Sequence, residues 1–213
     1  MKDIVIIGAG GFGREVAWLI EELNRLNREW NILGFVDDNE EIQGHEVNGY
    51  KVIGDIEWLK TKEINVVCAI GDPITKKKTI ERLMESRNSY PILIHPSVIY
   101  SDSVSFGEGS IICASNIITT DIRIGKHVIV NLDCTIGHDA NFGDYTTVLP
   151  GVNISGFVVT GECVSIGTGS AVIQGVSIGE KTIVGAGAVV VKDLPANCTA
   201  VGSPAKVIKY RGN

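Results

Sequence analysis

Of the four histidines in this 213-residue chain, His138 is followed directly by Asp139. An imidazole with an ordinary pKa of ~6.5 is mostly neutral at physiological pH yet able to take a proton, and a neighbouring carboxylate can orient it and stabilise its charged form. The pair has the chemistry of a general base, although a single outward histidine is also an ordinary solvated residue. A second group is Gly8-Ala9-Gly10-Gly11-Phe12-Gly13, a G-x-G-x-x-G run between an apolar stretch and an amphipathic one. Its glycines would let the backbone approach a phosphate or pyrophosphate, with a helix N-terminus supplying unpaired N–H groups. Asp37-Asp38 offers carboxylates to a ribose or a base edge. Tight strand–helix packing also uses such glycines, and Asp37-Asp38 equally suits a turn.

These residues sit in two units of different pattern. Ile4–Ile7 reads as a buried strand, residues 14–26 as a helix, residues 32–36 as a second strand, Val66–Ile70 as a third, residues 73–86 as a helix and residues 91–94 as a further strand. The alternation predicts a short, mostly parallel α/β unit over residues 1–94. It is too short for both halves of a dinucleotide fold, which favours a mononucleotide or nucleotide-sugar over NAD.

From Phe106 to Val190 every sixth residue is apolar except Thr160, and a second register two residues earlier holds small or β-branched residues. A six-residue period builds parallel β-helices, in which each hexapeptide is one side of a triangular coil. Residues two apart on a strand share a face, so both registers point inward. Fifteen register positions make about five coils, a prism roughly 24 Å tall at ~4.8 Å per strand. A glycine often follows the main register and reads as a corner needing backbone freedom. His95-Pro96-Ser97 marks the junction, residues 95–213 form the coil with its tail, and the flat outer faces invite association into a closed homo-oligomer.

A net charge of −6 gives no footprint for nucleic acid. The N-terminal apolar stretch is too short for a signal peptide and nothing could span a bilayer, so a cytoplasmic protein is expected. The five cysteines (Cys68, Cys113, Cys134, Cys163, Cys198) have no C-x-x-C spacing and read as small apolar fillers, without disulfides or zinc. His127 is read as outward on its coil, and with His45 as solvated; no third histidine lies near enough to complete a metal site, so no metal is expected.

The glycine run, Phe35-Val36-Asp37-Asp38, Ala69-Ile70-Gly71-Asp72, His95-Pro96-Ser97, Ile136-Gly137-His138-Asp139 and Val201-Gly202-Ser203-Pro204-Ala205-Lys206, in that order, resemble the bacterial family of sialic-acid O-acetyltransferases and UDP-4-amino-sugar N-acetyltransferases. The resemblance covers nearly the whole chain. It implies a Rossmann-like domain followed by a left-handed parallel β-helix, acetyl-CoA as co-substrate, and a homotrimer with active sites between subunits. It makes His138 the base and Asp139 its orienting partner, and puts Gly8, Gly10, Gly11, Gly13, Asp37, Asp38 and Gly71 at the nucleotide. It further assigns Asn131 to the cleft near the base, the N–H of Gly156 to the thioester oxygen, and Thr168 and Ala186 to the pantetheine arm. Many relatives carry a second histidine nine residues after the first. This chain has Thr147 there, whose hydroxyl can donate to an acetyl carbonyl or the acceptor but cannot be a cation.

The implied activity is direct acetyl transfer to a UDP- or GDP-linked 4-amino sugar in glycan biosynthesis; no serine or cysteine motif suggests a covalent intermediate. Two other readings remain: O-acetylation of sialic acid or another sugar hydroxyl, and a nucleotide-binding scaffold whose coil only trimerises.

Overall fold

The computed structural model describes residues 1–211. The N-terminal unit runs β1 (Lys2–Ile7), α1 (Gly11–Leu26), β2 (Trp30–Val36), β3 (Glu46–Val47), β4 (Tyr50–Gly54), α2 (Ile56–Leu59), β5 (Asn65–Cys68) and α3 (Pro73–Glu81). The sheet order is β3-β4-β2-β1-β5, parallel except for the β3/β4 hairpin. Ile4–Ile7 is apolar throughout because β1 is central and covered on both faces. Val16, Ala17, Leu19 and Ile20 of α1 pack on one face, and Ile56, Leu59, Ile80 and Leu83 on the other.

Two boundaries differ from expectation. The second helix ends at Glu81 rather than Ser86, because the chain tightens into turns (Leu83 N–H to Ile80 O, Ser86 N–H to Leu83 O) and Arg82 swings out to Asp38 and Glu57. Leu93–Ile94 is not a strand of this unit. It pairs with Ile111–Ile112 and is the first layer of the coil.

The coil has three faces of short parallel strands. One runs from Leu93–Ile94 through Ile111–Ile112, Ile129–Val130, Thr147–Val148, Ser165–Ile166 and Ile183–Val184 to Cys198–Val201, capped by the antiparallel strand Lys206–Tyr210. The second runs from Ile99–Tyr100 through Thr135–Ile136 to Val189–Val190, and the third from Ser105–Phe106 through Asn141–Phe142 to Ser177–Ile178. Seven parallel layers on the first face make a stack roughly 29 Å tall, more than the five coils expected. The register continues below Phe106 through Tyr100 and Ile94, and at the other end the last layer leaves it, Val184 pairing with Ala200 sixteen residues on.

Both registers point inward, as expected. Thr160, the exception, is buried, and its hydroxyl accepts from the Gly143 N–H at 3.1 Å with Thr146 Oγ1 3.3 Å away. Asn116 is likewise matched, donating to the carbonyls of Cys113 and Asn131 and accepting from the Cys134 N–H.

The corner glycines have a different cause from the one expected. None of those that follow the main register has positive φ; a Cβ on Gly107 would stand 2.5 Å from the backbone of Gly125 in the next coil, so they are glycine because coils approach closely. The left-handed turn comes two residues later, where side chains are tolerated: Ser115, Asp121, His127, Asp133, Asp139, Tyr145, Phe157, Cys163 and Lys181 all have φ between 52° and 64°.

The first face is not free. Ile111 and Ile129 point outward from it yet are buried in the cluster formed with α1 and β2. The α3 helix lies against the next layers: Lys77 pairs with Glu162 at 2.7 Å, and Lys76 is wholly buried with its Nζ 3.0 Å from Thr147 Oγ1. The N-terminal unit therefore covers one side of the prism and leaves two.

Candidate active site

His138 and Asp139 lie at the corner between the second and third faces, just past the inward Ile136. Asp139 occupies the left-handed position, φ 59°, a conformation that Asp adopts more readily than most residues. Its Oδ2 is 2.8 Å from His138 Nδ1. With Nδ1–H donating to the carboxylate, Nε2 presents a lone pair, the tautomer a base requires. Both side chains are about half exposed, so proton and substrate have access.

One coil further on, Gly156 lies directly beneath the imidazole. A Cβ there would be 2.6 Å from Cε1 and 2.7 Å from Nε2, so the glycine makes room for the ring. Among the described residues the Gly156 N–H meets no acceptor, and neither do those of Thr168 and Ala186. That position is free at many coil corners, so location rather than freedom distinguishes these three. Phe157 follows, its ring perpendicular to the imidazole with centroids 5.0 Å apart.

The remaining coil residues lie elsewhere. Asn131, Thr168 and Ala186 each follow a strand of the first face, at the corner between first and second faces, with Thr168 and Ala186 one coil apart. The fold thus gathers His138, Asp139 and Gly156 at one edge and Asn131, Thr168 and Ala186 at another. Asn131 is mostly buried, with Oδ1 accepting from the Leu132 N–H.

Thr147 is at neither edge. It is 1% exposed on the first face beneath α3, and its hydroxyl meets the Lys76 amine, so within the chain it is closed off from His138. Sequence reasoning missed Lys76, because a lysine in a run of three reads as solvated. Burial pulls its pKa down to about 7. His127 also departs from the solvated reading. It is 3% exposed, stacked on Tyr145 with Tyr90 edge-on, and burial lowers its pKa to about 4. His45 is exposed, as expected. Among the described residues no three of His, Cys, Asp and Glu gather as a metal cluster, and all five cysteines are buried and free. No helix is long and apolar enough to cross a membrane.

In the N-terminal unit the glycine run divides by role. Gly8 has φ 95°, and a Cβ on Gly13 would fall onto the Gly8 carbonyl oxygen, so both serve the strand–helix packing. Gly10 and Gly71 have nothing within 4 Å of an added Cβ, and Gly11 meets only the Arg14 side chain at 3.8 Å. Gly10 caps α1 without any side-chain hydrogen bond, so the helix N-terminus faces outward uncapped. The carboxylates are more engaged than a ligand clamp needs. Asp37 Oδ2 accepts from the Ala9 N–H at 2.9 Å and holds the glycine loop, while Asp38 accepts from Ile56 N–H and pairs with Arg82, which draws its pKa down.

Comparison with known proteins agrees with this architecture. The domain family described as the PglD N-terminal domain matches residues 3–83. A GDP-perosamine N-acetyltransferase of Escherichia coli O157:H7 is 34% identical over 96% of this chain and 95% of its own. Among solved structures, the acetyltransferase domain of PglB from Neisseria gonorrhoeae, in complex with acetyl coenzyme A, superimposes with a TM-score of 0.88 at 31% identity, over 97% of this chain and 99% of its own. PerB from Caulobacter crescentus, in complex with CoA and GDP-perosamine, gives 0.86 at 34% identity over 98% of each. The chain therefore belongs to the family of hexapeptide-repeat acetyltransferases that carry a PglD-type N-terminal domain.

Proposed function

We propose that this acetyltransferase transfers the acetyl group of acetyl-CoA to the amine of a nucleotide-linked amino sugar, for bacterial glycan assembly, with His138 as general base. The observation that carries the reading is the 2.8 Å contact between His138 Nδ1 and Asp139, which leaves Nε2 as an accessible acceptor above Gly156. Nε2 takes a proton as the acceptor amine attacks the thioester carbonyl; the thiolate then leaves and recovers the proton as CoA thiol. The Gly156 N–H is the donor for the developing oxyanion, a contact of the kind worth ~2.7–4 kcal/mol. The outward-facing N-terminus of α1, with Gly10, Gly11 and Gly71 open beside it, receives the nucleotide phosphates. Ligands named for the relatives, acetyl coenzyme A, CoA and GDP-perosamine, support both halves of this assignment and favour an amine over a hydroxyl acceptor. Thr147, buried beneath α3 and bonded to Lys76, takes no part in that choice.

The site is shared between subunits of a homotrimer. Support comes from the separation of His138, Asp139 and Gly156 from Asn131, Thr168 and Ala186 on different edges. Exposed Ile99, Ile117, Ile173 and Val191 line the second face and its margins, apolar surface suited to a neighbouring prism. The decisive assay measures acetyl-CoA consumption with UDP- and GDP-linked 4-amino sugars beside hydroxyl acceptors. Amine turnover lost by roughly 10²–10⁴ in His138→Ala is expected. Near-wild-type turnover of that variant would overturn the base, and turnover of hydroxyl acceptors alone would overturn the amine.

A further inference from the structure

We propose that Phe157 is a specificity-determining wall of the acceptor site, binding the C–H face of a pyranose acceptor beside the base. This rests on the acetyltransferase reading of His138 but adds a residue and a recognition chemistry to it. Three of the left-handed corners carry large aromatic side chains: His127, Tyr145 and Phe157, with φ of 52°, 61° and 59°. Bulky side chains disfavour that conformation, so each needs compensation. His127 and Tyr145 have it, stacked on each other beneath the N-terminal unit with Tyr90 edge-on and Lys77 above the Tyr145 ring. Phe157 does not, since it is 50% exposed and its aromatic neighbour is the half-exposed imidazole of His138. A strained, wet phenyl ring next to a base is a feature whose compensation comes on binding.

The geometry limits what it can touch. An acceptor atom surrendering a proton to His138 must come within about 3 Å of Nε2. With the ring centroids 5.0 Å apart, the carbon framework carrying that atom comes within reach of the Phe157 ring. Aromatic faces take the weakly polarised C–H edges of pyranose rings, and a perpendicular phenyl also holds the imidazole in one rotamer.

The test compares Phe157→Asn, which keeps the left-handed backbone with a residue that tolerates it, with Phe157→Tyr, which keeps the ring. Each is assayed on whichever nucleotide-linked pyranose, amine or hydroxyl, the wild type acetylates. Expected for Phe157→Asn is a rise of roughly threefold to tenfold in acceptor KM, with unchanged acetyl-CoA KM, unchanged oligomer size by light scattering, and equal or higher Tm. Phe157→Tyr should restore the acceptor KM. An unchanged acceptor KM, an equal rise in acetyl-CoA KM, or altered assembly would overturn the proposal. Wild-type activity confined to hydroxyl acceptors would sink the amine assignment while leaving this comparison decisive, and no activity on any pyranose would overturn both.

Discussion

His138 depends on two neighbours for different things. Asp139 sets the tautomer through Nδ1, so Asp139→Asn should lower kcat while leaving the acetyl-CoA KM unchanged, a smaller loss than that of removing the imidazole. Gly156 sets where the ring lies. Gly156→Ala introduces a Cβ within 2.7 Å of Nε2, and the ring must shift; a displacement near 1 Å costs roughly 100-fold in rate. Kinetics of the two variants on one acceptor would separate them, because Gly156→Ala also disturbs the N–H proposed as the oxyanion donor. An unimpaired Gly156→Ala enzyme would overturn the proposed placement of the base above Gly156.

At the scale of elements, α3 joins the two units. Its N-cap Asp72 accepts from the Thr75 N–H at 2.8 Å, Pro73 opens the first turn, and Lys76 and Lys77 follow on the side facing the coil. Lys76 is wholly buried near Cys68 and Cys163, with hydroxyl and carbonyl partners and no carboxylate at its amine. Its folded pKa of about 7 lies below the ordinary value for lysine. From pH 7 to roughly 10 the unfolded chain therefore binds a proton that the folded chain does not, and stability rises with pH through that window. Lys76→Met should raise Tm over the wild type most at pH 6, with the gain shrinking by pH 9, as followed by thermal melts. His127 acts in the same sense at lower pH. Its folded pKa near 4 means that stability falls as pH drops from about 6.5 toward 4.

For the whole molecule the question is whether one chain can complete a site. His138 and the Thr168–Ala186 pair stand on different corners of the prism, so in the proposed trimer His138→Ala and Ala186→Trp would disable different halves of a site shared between subunits. Each variant alone should be nearly inactive. Co-expressed and randomly assembled, they should recover about a quarter of wild-type activity, since that share of interfaces pairs an intact base with an intact opposite corner in a closed ring. No recovery from verified mixed assemblies would mean that each chain carries a complete site.

The six-residue apolar register was sufficient for the coil, because an interior shared by every layer imposes one demand at each sixth position, and that demand is written locally. The strand–glycine–helix turn and the His138–Asp139 contact were legible for a similar reason, each being made by residues adjacent in the chain. Long-range packing decided the rest. Which prism face α3 covers, and hence the burial of Lys76, Thr147 and His127, follows from docking two units whose contacting residues are far apart in sequence. Residue type alone carries no record of such docking, so a lysine and a histidine that read as solvated lie inside.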